Sequence, residues 1–122
     1  MNADFLIPIK DSVVAHSVLL PQNSLGAIMQ VHTQADGFPD LIGINIAILG
    51  VEEDRNTEDN LGSGKDLHHI RRHLYQLFPG NWNTSIADIG NIKKGDSTSD
   101  THFAVTKVIA DLLKLNIIPI II

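Results

Sequence analysis

The sequence predicts an α/β fold of three layers, α/β/α, in which helices cover both faces of a parallel sheet. Two observations support this prediction. From about residue 41 onwards, runs of β-branched residues alternate with stretches of helical periodicity in the order β-α-β-α-β. Parallel strands joined through helices form right-handed crossover units, which build such a domain. The length of 122 residues is that of one domain.

The first 40 residues lack this alternation, and we predict that they form an irregular segment. Proline and glycine residues interrupt it at Pro8, Pro21, Gly26, Gly37 and Pro39. Asn23 or Ser24 can cap one short helix that extends to His32. The predicted organisation is therefore an N-terminal segment, residues 1–40, followed by an α/β domain, residues 41–122.

The α/β domain begins with a predicted strand over residues 44–50, which glycine closes. An acidic loop follows as far as residue 64, and a helix is predicted over residues 65–77. The apolar residues of this helix recur at i, i+3, i+7 and i+10, and we expect them to face the core. They are Leu67, Ile70, Leu74 and Leu77. A second strand is predicted over residues 85–90.

Ser97-Thr-Ser-Asp100 has the form of a capping box and opens a second helix, residues 101–115, with one wide apolar face. The third strand, residues 117–122, consists almost entirely of isoleucine. Continuous β-branched runs are typical of strands that are covered on both faces. We therefore expect this strand to lie inside a larger sheet, so that residues 41–122 are the first part of a domain that continues beyond Ile122.

Composition excludes several classes of function. The chain has 14 acidic and 9 basic residues and a net charge of −5, which argues against nucleic acid as its main partner. It has no cysteine, which excludes disulfides, thiolate metal sites and cysteine nucleophiles. Neither a signal peptide nor a membrane span is evident. We expect a soluble, cytoplasmic protein without a membrane partner.

The acidic loop contains two motifs that are incomplete. Gly62-Ser-Gly-Lys65 resembles the end of a phosphate-binding loop, but Asp59 and Asp66 occupy the positions that require glycine and Ser/Thr. A calcium loop that started at Asp54 would need glycine at Asp59 and glutamate at Lys65. The sequence therefore favours a solvated acidic loop.

Histidines and one aspartate are the remaining candidates for chemistry. His69 and His73 lie at i, i+4 and could chelate zinc, but Ile70 replaces the glutamate of the metalloprotease pattern, so a polar helix face is the simpler interpretation. Asp88 stands near the carboxyl end of the second strand. It could act as a ligand or base there, or cap a turn through backbone amides.

Several motifs in succession resemble the beginning of the ureohydrolase family, which comprises arginases, agmatinases and formimidoylglutamases. They are Ile46-Ala-Ile-Leu-Gly-Val-Glu-Glu-Asp54, Asn60-Leu-Gly62, Ile70-Arg71-x-x-Leu74, Asp88-Ile-Gly90-Asn and Asn116-Ile-Ile-Pro-Ile-Ile-Ile122. The chain departs from the family at Glu52, where proline is frequent, and at Asp66-Leu67, which replaces a small residue followed by proline.

The resemblance implies the truncated N-terminal part of an arginase-like fold. The parent would be a hydrolase of guanidino or formimino carbon–nitrogen bonds in a small-molecule substrate, with two Mn²⁺ ions that activate water. The family's metal ligands would all lie beyond Ile122, so we assign no catalytic or metal-ligating residue here and expect the 122-residue chain alone to be inert. The acidic loop would form a substrate mouth or a subunit contact. Its candidate residues are Glu52, Glu53, Asp54, Arg55 and Asn60.

Two other interpretations stay open. The first is a flavodoxin-like α/β binding or interaction module without catalytic activity, and the second is a metal-binding protein built on His69 and His73. For the ureohydrolase-like interpretation we expect a homo-oligomeric parent. We also expect the fragment to self-associate, as a dimer, through residues 117–122 or the helix at 101–115, because an uncovered strand edge invites pairing.

Overall fold

The computed structural model describes residues 1–122 and contains five strands and four α-helices. In chain order they are β1 (Leu6–Ile7), α1 (Asp11–Ser17), α2 (Leu25–Ile28), β2 (Gln30–Val31), β3 (Ile46–Gly50), α3 (Leu67–Tyr75), β4 (Ile86–Ile92), α4 (Thr98–Lys114) and β5 (Ile118–Ile121). One 3₁₀ turn, Ser63–Lys65, precedes α3. No helix combines the length and the apolar character that crossing a membrane requires.

The predicted α/β class is confirmed, with β3, β4 and β5 as the parallel core of one open sheet. β3 lies in the middle and pairs in parallel with β4 on one side and β5 on the other. The sheet is mixed, however, because β1 runs antiparallel along the carboxyl half of β4, while β2 runs parallel along its amino half. β5 forms the opposite edge of the sheet.

Residues 1–40 are more regular than the sequence predicted. They contribute two short strands and two helices, and both strands pair with β4. The helix that we predicted to extend to His32 ends at Ile28, because the chain then becomes extended and joins the sheet as β2. The backbone N–H of His32 donates to the carbonyl of Asp88 at 2.8 Å, which continues this pairing beyond β2.

The two faces of the sheet are covered by different helices. Alternate side chains of β3 and β4 pack against the apolar face of α4. This core includes Ala47, Leu49, Ala87, Ile89, Ala104, Val108 and Leu112. The capping box predicted for α4 is present, since the Ser97 hydroxyl accepts from the Asp100 N–H and the Asp100 carboxylate accepts from the Ser97 N–H. On the other face, Arg71 and Tyr75 of α3 contact Asp88 of β4. Helices α1 and α2 pack against α3.

The predicted apolar stripe of α3 is only partly correct, because Leu67 is buried and Leu74 is partly buried, but the other two members are not. The side of the helix that is buried consists of Leu67, Arg71 and Tyr75, whereas Ile70 is 46% exposed and Leu77 is 54% exposed. The physical reason is that a charged side chain of β4 faces α3, and the helix turns its arginine towards that charge. The hydrophobic period of α3 therefore marks only part of its buried side.

An irregularity in β4 brings two polar residues onto the α3 face. Between the pairs Ile48↔Asp88 and Gly50↔Asn91, β4 has one residue more than β3. Gly90, at φ 89°, takes up the extra residue. A Cβ at Gly90 would collide with the carbonyl oxygen of Ile7 in β1, so only glycine allows this close approach. As a result Asp88 and Asn91 both face α3.

One face of β5 is uncovered within residues 1–122. Ile118 is 62% exposed and Ile120 is 44% exposed, on the face of the sheet opposite α4. α4 covers only the other face of this strand. Within residues 1–122 the strand is therefore an edge, and its place inside a larger sheet stays a prediction.

Candidate functional site

A network of hydrogen-bonded polar side chains lies where β3 and β4 end, around the loop of residues 51–66. Active sites of open parallel sheets lie at this carboxyl edge. The centre of the arrangement is a buried ion pair between Arg71 of α3 and Asp88 of β4, whose side chains are 2% and 0% exposed. Nε of Arg71 donates to Oδ2 of Asp88 at 2.7 Å, and Nη2 donates to Oδ1 at 3.0 Å.

The Asp88 carboxylate receives four hydrogen bonds in total. Besides the two from Arg71, the Tyr75 hydroxyl donates to Oδ2 at 2.7 Å and the backbone N–H of Gly90 donates to Oδ1 at 3.0 Å. Burial, followed by the negative charge of Asp88, raises the pKa of Tyr75 above its ordinary range, so its hydroxyl stays protonated as a donor. With all four acceptor positions used, Asp88 has no lone pair available for a base or a ligand.

The remaining donors of Arg71 extend the network to the loop. Nη1 donates to Oδ1 of Asn91 at 2.6 Å, and Nη2 also donates to the Gly90 carbonyl at 3.1 Å. Nδ2 of Asn91 then donates to Oε1 of Glu52 at 2.9 Å. This chain of contacts ties α3, β4 and the first residues of the acidic loop into one rigid unit.

Asp54 organises the acidic loop from inside. Its side chain is buried, and its Oδ2 accepts from the backbone N–H groups of Gly62 and Gly64 at 2.6 and 3.3 Å. The two ends of the loop are thereby held together. Gly64 lies against the backbone of Glu52, where a Cβ would leave no room.

Arg55 connects the acidic loop to the start of α4. Its Nε donates to Oε1 of Glu53 at 2.8 Å, and its Nη2 donates to Oε2 at 2.5 Å. Nη1 donates to the Asp96 carbonyl at 3.0 Å and Nη2 to the Thr101 hydroxyl at 3.2 Å. The hydrogen bonds from Arg55 lower the pKa of Glu53 from 4.5 to about 2, and in return Glu53 raises the pKa of Arg55.

Four of the five loop candidates, and Asp88, form hydrogen bonds to other groups of the same chain. Glu52, Glu53, Asp54 and Arg55 all pair within the chain, whereas the side chain of Asn60 is exposed and makes no hydrogen bond to the protein. The hydrogen bond from the Gly90 N–H to the Asp88 carboxylate is that of a turn cap, which was one of the two roles that the sequence allowed for Asp88.

His69 and His73 are exposed on the outer side of α3, and the described residues contain no group of three or more His, Asp or Glu side chains that could hold a metal ion.

Sequence reasoning missed His32 and Tyr75. His32 is buried, its Nδ1 contacts the Ile89 carbonyl at 3.0 Å, and its ring lies edge-on to Phe38. Because a carbonyl can only accept, Nδ1 is the donor in this contact. Leu67, Arg71 and Tyr75 follow one another at i, i+4 and i+8, and this spacing was the signal that could have located the buried side of α3.

A separate pocket of about 560 Å³ opens at the amino ends of the strands, on the side opposite to the acidic loop. Apolar side chains including Phe38, Leu41 and Leu115 line it, together with Asp40 and Asn116. Comparison of the chain with family models, with curated proteins and with solved structures finds no match.

Proposed function

We propose that this chain is the N-terminal portion of a ureohydrolase-like enzyme, an arginase-, agmatinase- or formimidoylglutamase-like hydrolase of guanidino or formimino carbon–nitrogen bonds. The observation that supports this most strongly is the contact between Arg71 and Asp88. Ile70-Arg71-x-x-Leu74 and Asp88-Ile-Gly90-Asn resemble two separate motifs of the family. In the fold they are the two halves of one buried network, which gives a physical reason for their occurrence together.

The uncovered edge of the sheet is consistent with this proposal. β5 has an unpaired side and two well-exposed isoleucines, Ile118 and Ile120, on the face opposite α4. In a larger α/β domain a further strand and helix would cover these surfaces. The loop of residues 51–66 would then stand beside the centre of the carboxyl edge, where it would shape the substrate mouth.

The residues of this chain do not fit a metal centre, since no suitable group of ligands is present among them. In the proposed enzyme the manganese ligands therefore come from outside residues 1–122, and no step of the reaction runs through the side chains described here. The contribution of this chain is positional: Asp54 and Arg55 hold the acidic loop in place, and Arg71 fixes α3 beneath it.

The test is a hydrolysis assay on the natural polypeptide, captured from source cells with an antibody against residues 1–122. Release of urea from arginine or agmatine, or of formamide from formimidoylglutamate, is measured after loading with Mn²⁺ and again with a chelator. Manganese-dependent release from one of these compounds is the expected result. A captured polypeptide that hydrolyses none of them with Mn²⁺ present would refute the proposal.

A non-catalytic binding module is the second candidate, and the pocket at the amino ends of the strands favours it. Its size and its mixed lining, apolar with Asp40 and Asn116, suit a small amphipathic ligand. Screening of small cationic and neutral amphipathic compounds by ligand-observed NMR tests this candidate. The matched pair of chains is the parent and an Ile42→Trp variant, which enlarges an exposed side chain of the pocket lining; binding that is equal in both would exclude the pocket.

A further inference from the structure

Two segments of the chain, residues 18–28 and 76–85, meet and form one surface, which we call the apolar corner. The backbone N–H of Leu25 donates to the carbonyl of Leu77 at 2.8 Å. A Cβ at Gly26 would collide with a side chain of α3, so α2 and the end of α3 are in close contact. The two segments precede β2 and β4, which run parallel to each other. The apolar corner therefore lies at the end of the sheet opposite to the acidic loop.

The apolar corner exposes large hydrophobic side chains on protruding loops. Leu19, after α1, is 82% exposed, and Trp82, after α3, is 81% exposed. Four further side chains are more than half exposed: Val18, Ile28, Leu77 and Phe78. Leu19, Phe78 and Trp82 line neither of the two cavities of the chain, so they project outwards. Exposed patches of this kind mark contact with another protein or with a membrane.

The charges around the apolar corner are of one sign. The corner itself has no charged residue, and no acidic residue lies within positions 12–35 or 67–87, in a chain that has 14 of them. Basic residues stand immediately before both loops, with His16 in the last turn of α1 and Arg72 and His73 in the last turn of α3. Arg72 forms no ion pair within the chain. An anionic surface is therefore the complement of this side of an otherwise acidic molecule.

We infer that the apolar corner binds the surface of a lipid bilayer that contains anionic lipids, with Leu19, Phe78 and Trp82 entering the interface. Tryptophan is enriched at the level of the lipid headgroups, because its ring is apolar and its N–H is polar. Basic residues beside the corner attract anionic headgroups, and no acidic side chain there repels them. A bilayer accepts protruding side chains of any shape, whereas a protein partner has to offer a matching pocket for each.

This contact does not depend on the proposed hydrolytic function. α1 and α2 pack against α3, and α3 contacts β4, whereas β5 forms the other edge of the sheet. A sheet that continues beyond β5 would therefore grow away from the apolar corner. The expectation of no membrane partner was based on the absence of a signal peptide and a membrane span, and a contact at the bilayer surface requires neither.

Trp82 is the only tryptophan of the chain, so its fluorescence reports on the apolar corner directly. The 122-residue chain is mixed with vesicles of phosphatidylcholine that contain about 30% phosphatidylserine, and with vesicles of phosphatidylcholine alone. We expect the emission of Trp82 to shift to shorter wavelength, to be quenched by lipids with brominated acyl chains, and to show tighter binding to the vesicles with phosphatidylserine. Cosedimentation with the vesicles measures the bound fraction independently.

Leu19→Asp and Phe78→Asp should each weaken vesicle binding about tenfold or more, because each removes the burial of one large apolar side chain. Leu61→Asp is the matched control, since Leu61 is also 71% exposed but lies in the acidic loop at the other end of the sheet, and this variant should bind as the parent does. Far-UV circular dichroism establishes that each variant is folded.

Three results would overturn the inference about the apolar corner. The first is the absence of both an emission shift and cosedimentation, or binding that is equal with and without phosphatidylserine. The second is a pair of folded Leu19→Asp and Phe78→Asp chains that bind vesicles as tightly as the parent. The third is an emission shift that grows with protein concentration when no vesicles are present, which would show that a second copy of the chain covers the corner.

Discussion

Replacement of Arg71 by methionine removes the positive charge that neutralises the buried Asp88 carboxylate. Both side chains are almost fully buried, so water does not take the place of the guanidinium group. Loss of one partner from a buried ion pair costs about 3–5 kcal/mol of unfolding free energy. With an unfolding entropy of about 2.1 cal/mol/K per residue, a chain of 122 residues should then show a fall in Tm of roughly 12–20 °C.

The assay is thermal and urea unfolding followed by far-UV circular dichroism. His73→Met is the matched control on the same helix, because the His73 side chain is exposed and makes no hydrogen bond, and its effect should stay within about 0.5 kcal/mol. The double variant Arg71→Met/Asp88→Leu removes both charges and should recover part of the loss, since no unpaired charge stays buried. An Arg71→Met chain within about 1 kcal/mol of the parent would refute the role given to this ion pair.

Three further predictions concern the loop and the strand irregularity. Asp54→Ala removes the acceptor of the Gly62 N–H and should cost about 1–3 kcal/mol, with faster hydrogen exchange of that amide; unchanged exchange would contradict the loop geometry. Because Arg55 lowers the pKa of Glu53 from 4.5 to about 2, the ionised pair contributes stability above pH 4.5 that is lost as the pH falls towards 2. NMR titration of the Glu53 carboxyl carbon measures this, and a midpoint near 4.5 would disprove the contact. Gly90→Ala places a Cβ against β1 at a positive φ and should destabilise the fold by about 1–3 kcal/mol; a neutral effect in urea unfolding would count against the irregularity described.

The elements that could be predicted from the sequence are those whose signals are local. β3, β4 and β5 lie within two residues of their predicted bounds and α4 within three, because continuous β-branched runs and a capping box act over a few neighbouring residues. The order of strands and helices was enough to predict that these three strands are parallel.

The elements that could not be predicted depend on contacts between distant parts of the chain. β1 and β2 are each two residues long and form strands because they pair with β4. No local sequence pattern indicates this pairing. The buried side of α3 is set by Asp88, which lies 17 residues beyond Arg71 in the sequence. A hydrophobic stripe indicates the buried side of a helix only where the facing strand is apolar. This rule fails where a carboxylate faces the helix.

The position of the acidic loop could be predicted from the sequence, whereas the contacts of its charged side chains could not. The acidic residues after β3 do gather at the carboxyl edge, as the position of the loop suggested. Their charges are used internally, however, since Glu53 binds Arg55 and Asp54 binds the backbone of its own loop. Sequence spacing gives no information on which charges neutralise each other, because that depends on side-chain geometry in the folded loop.

The proposed function requires a polypeptide that includes more than residues 1–122, since these residues provide no metal ligands. The most direct measurement is therefore the intact mass of the natural polypeptide, captured from source cells with an antibody against this segment. We predict a mass more than twice 13.3 kDa. A natural polypeptide of 13.3 kDa would contradict the assignment to a ureohydrolase-like enzyme and would leave a binding or assembly module.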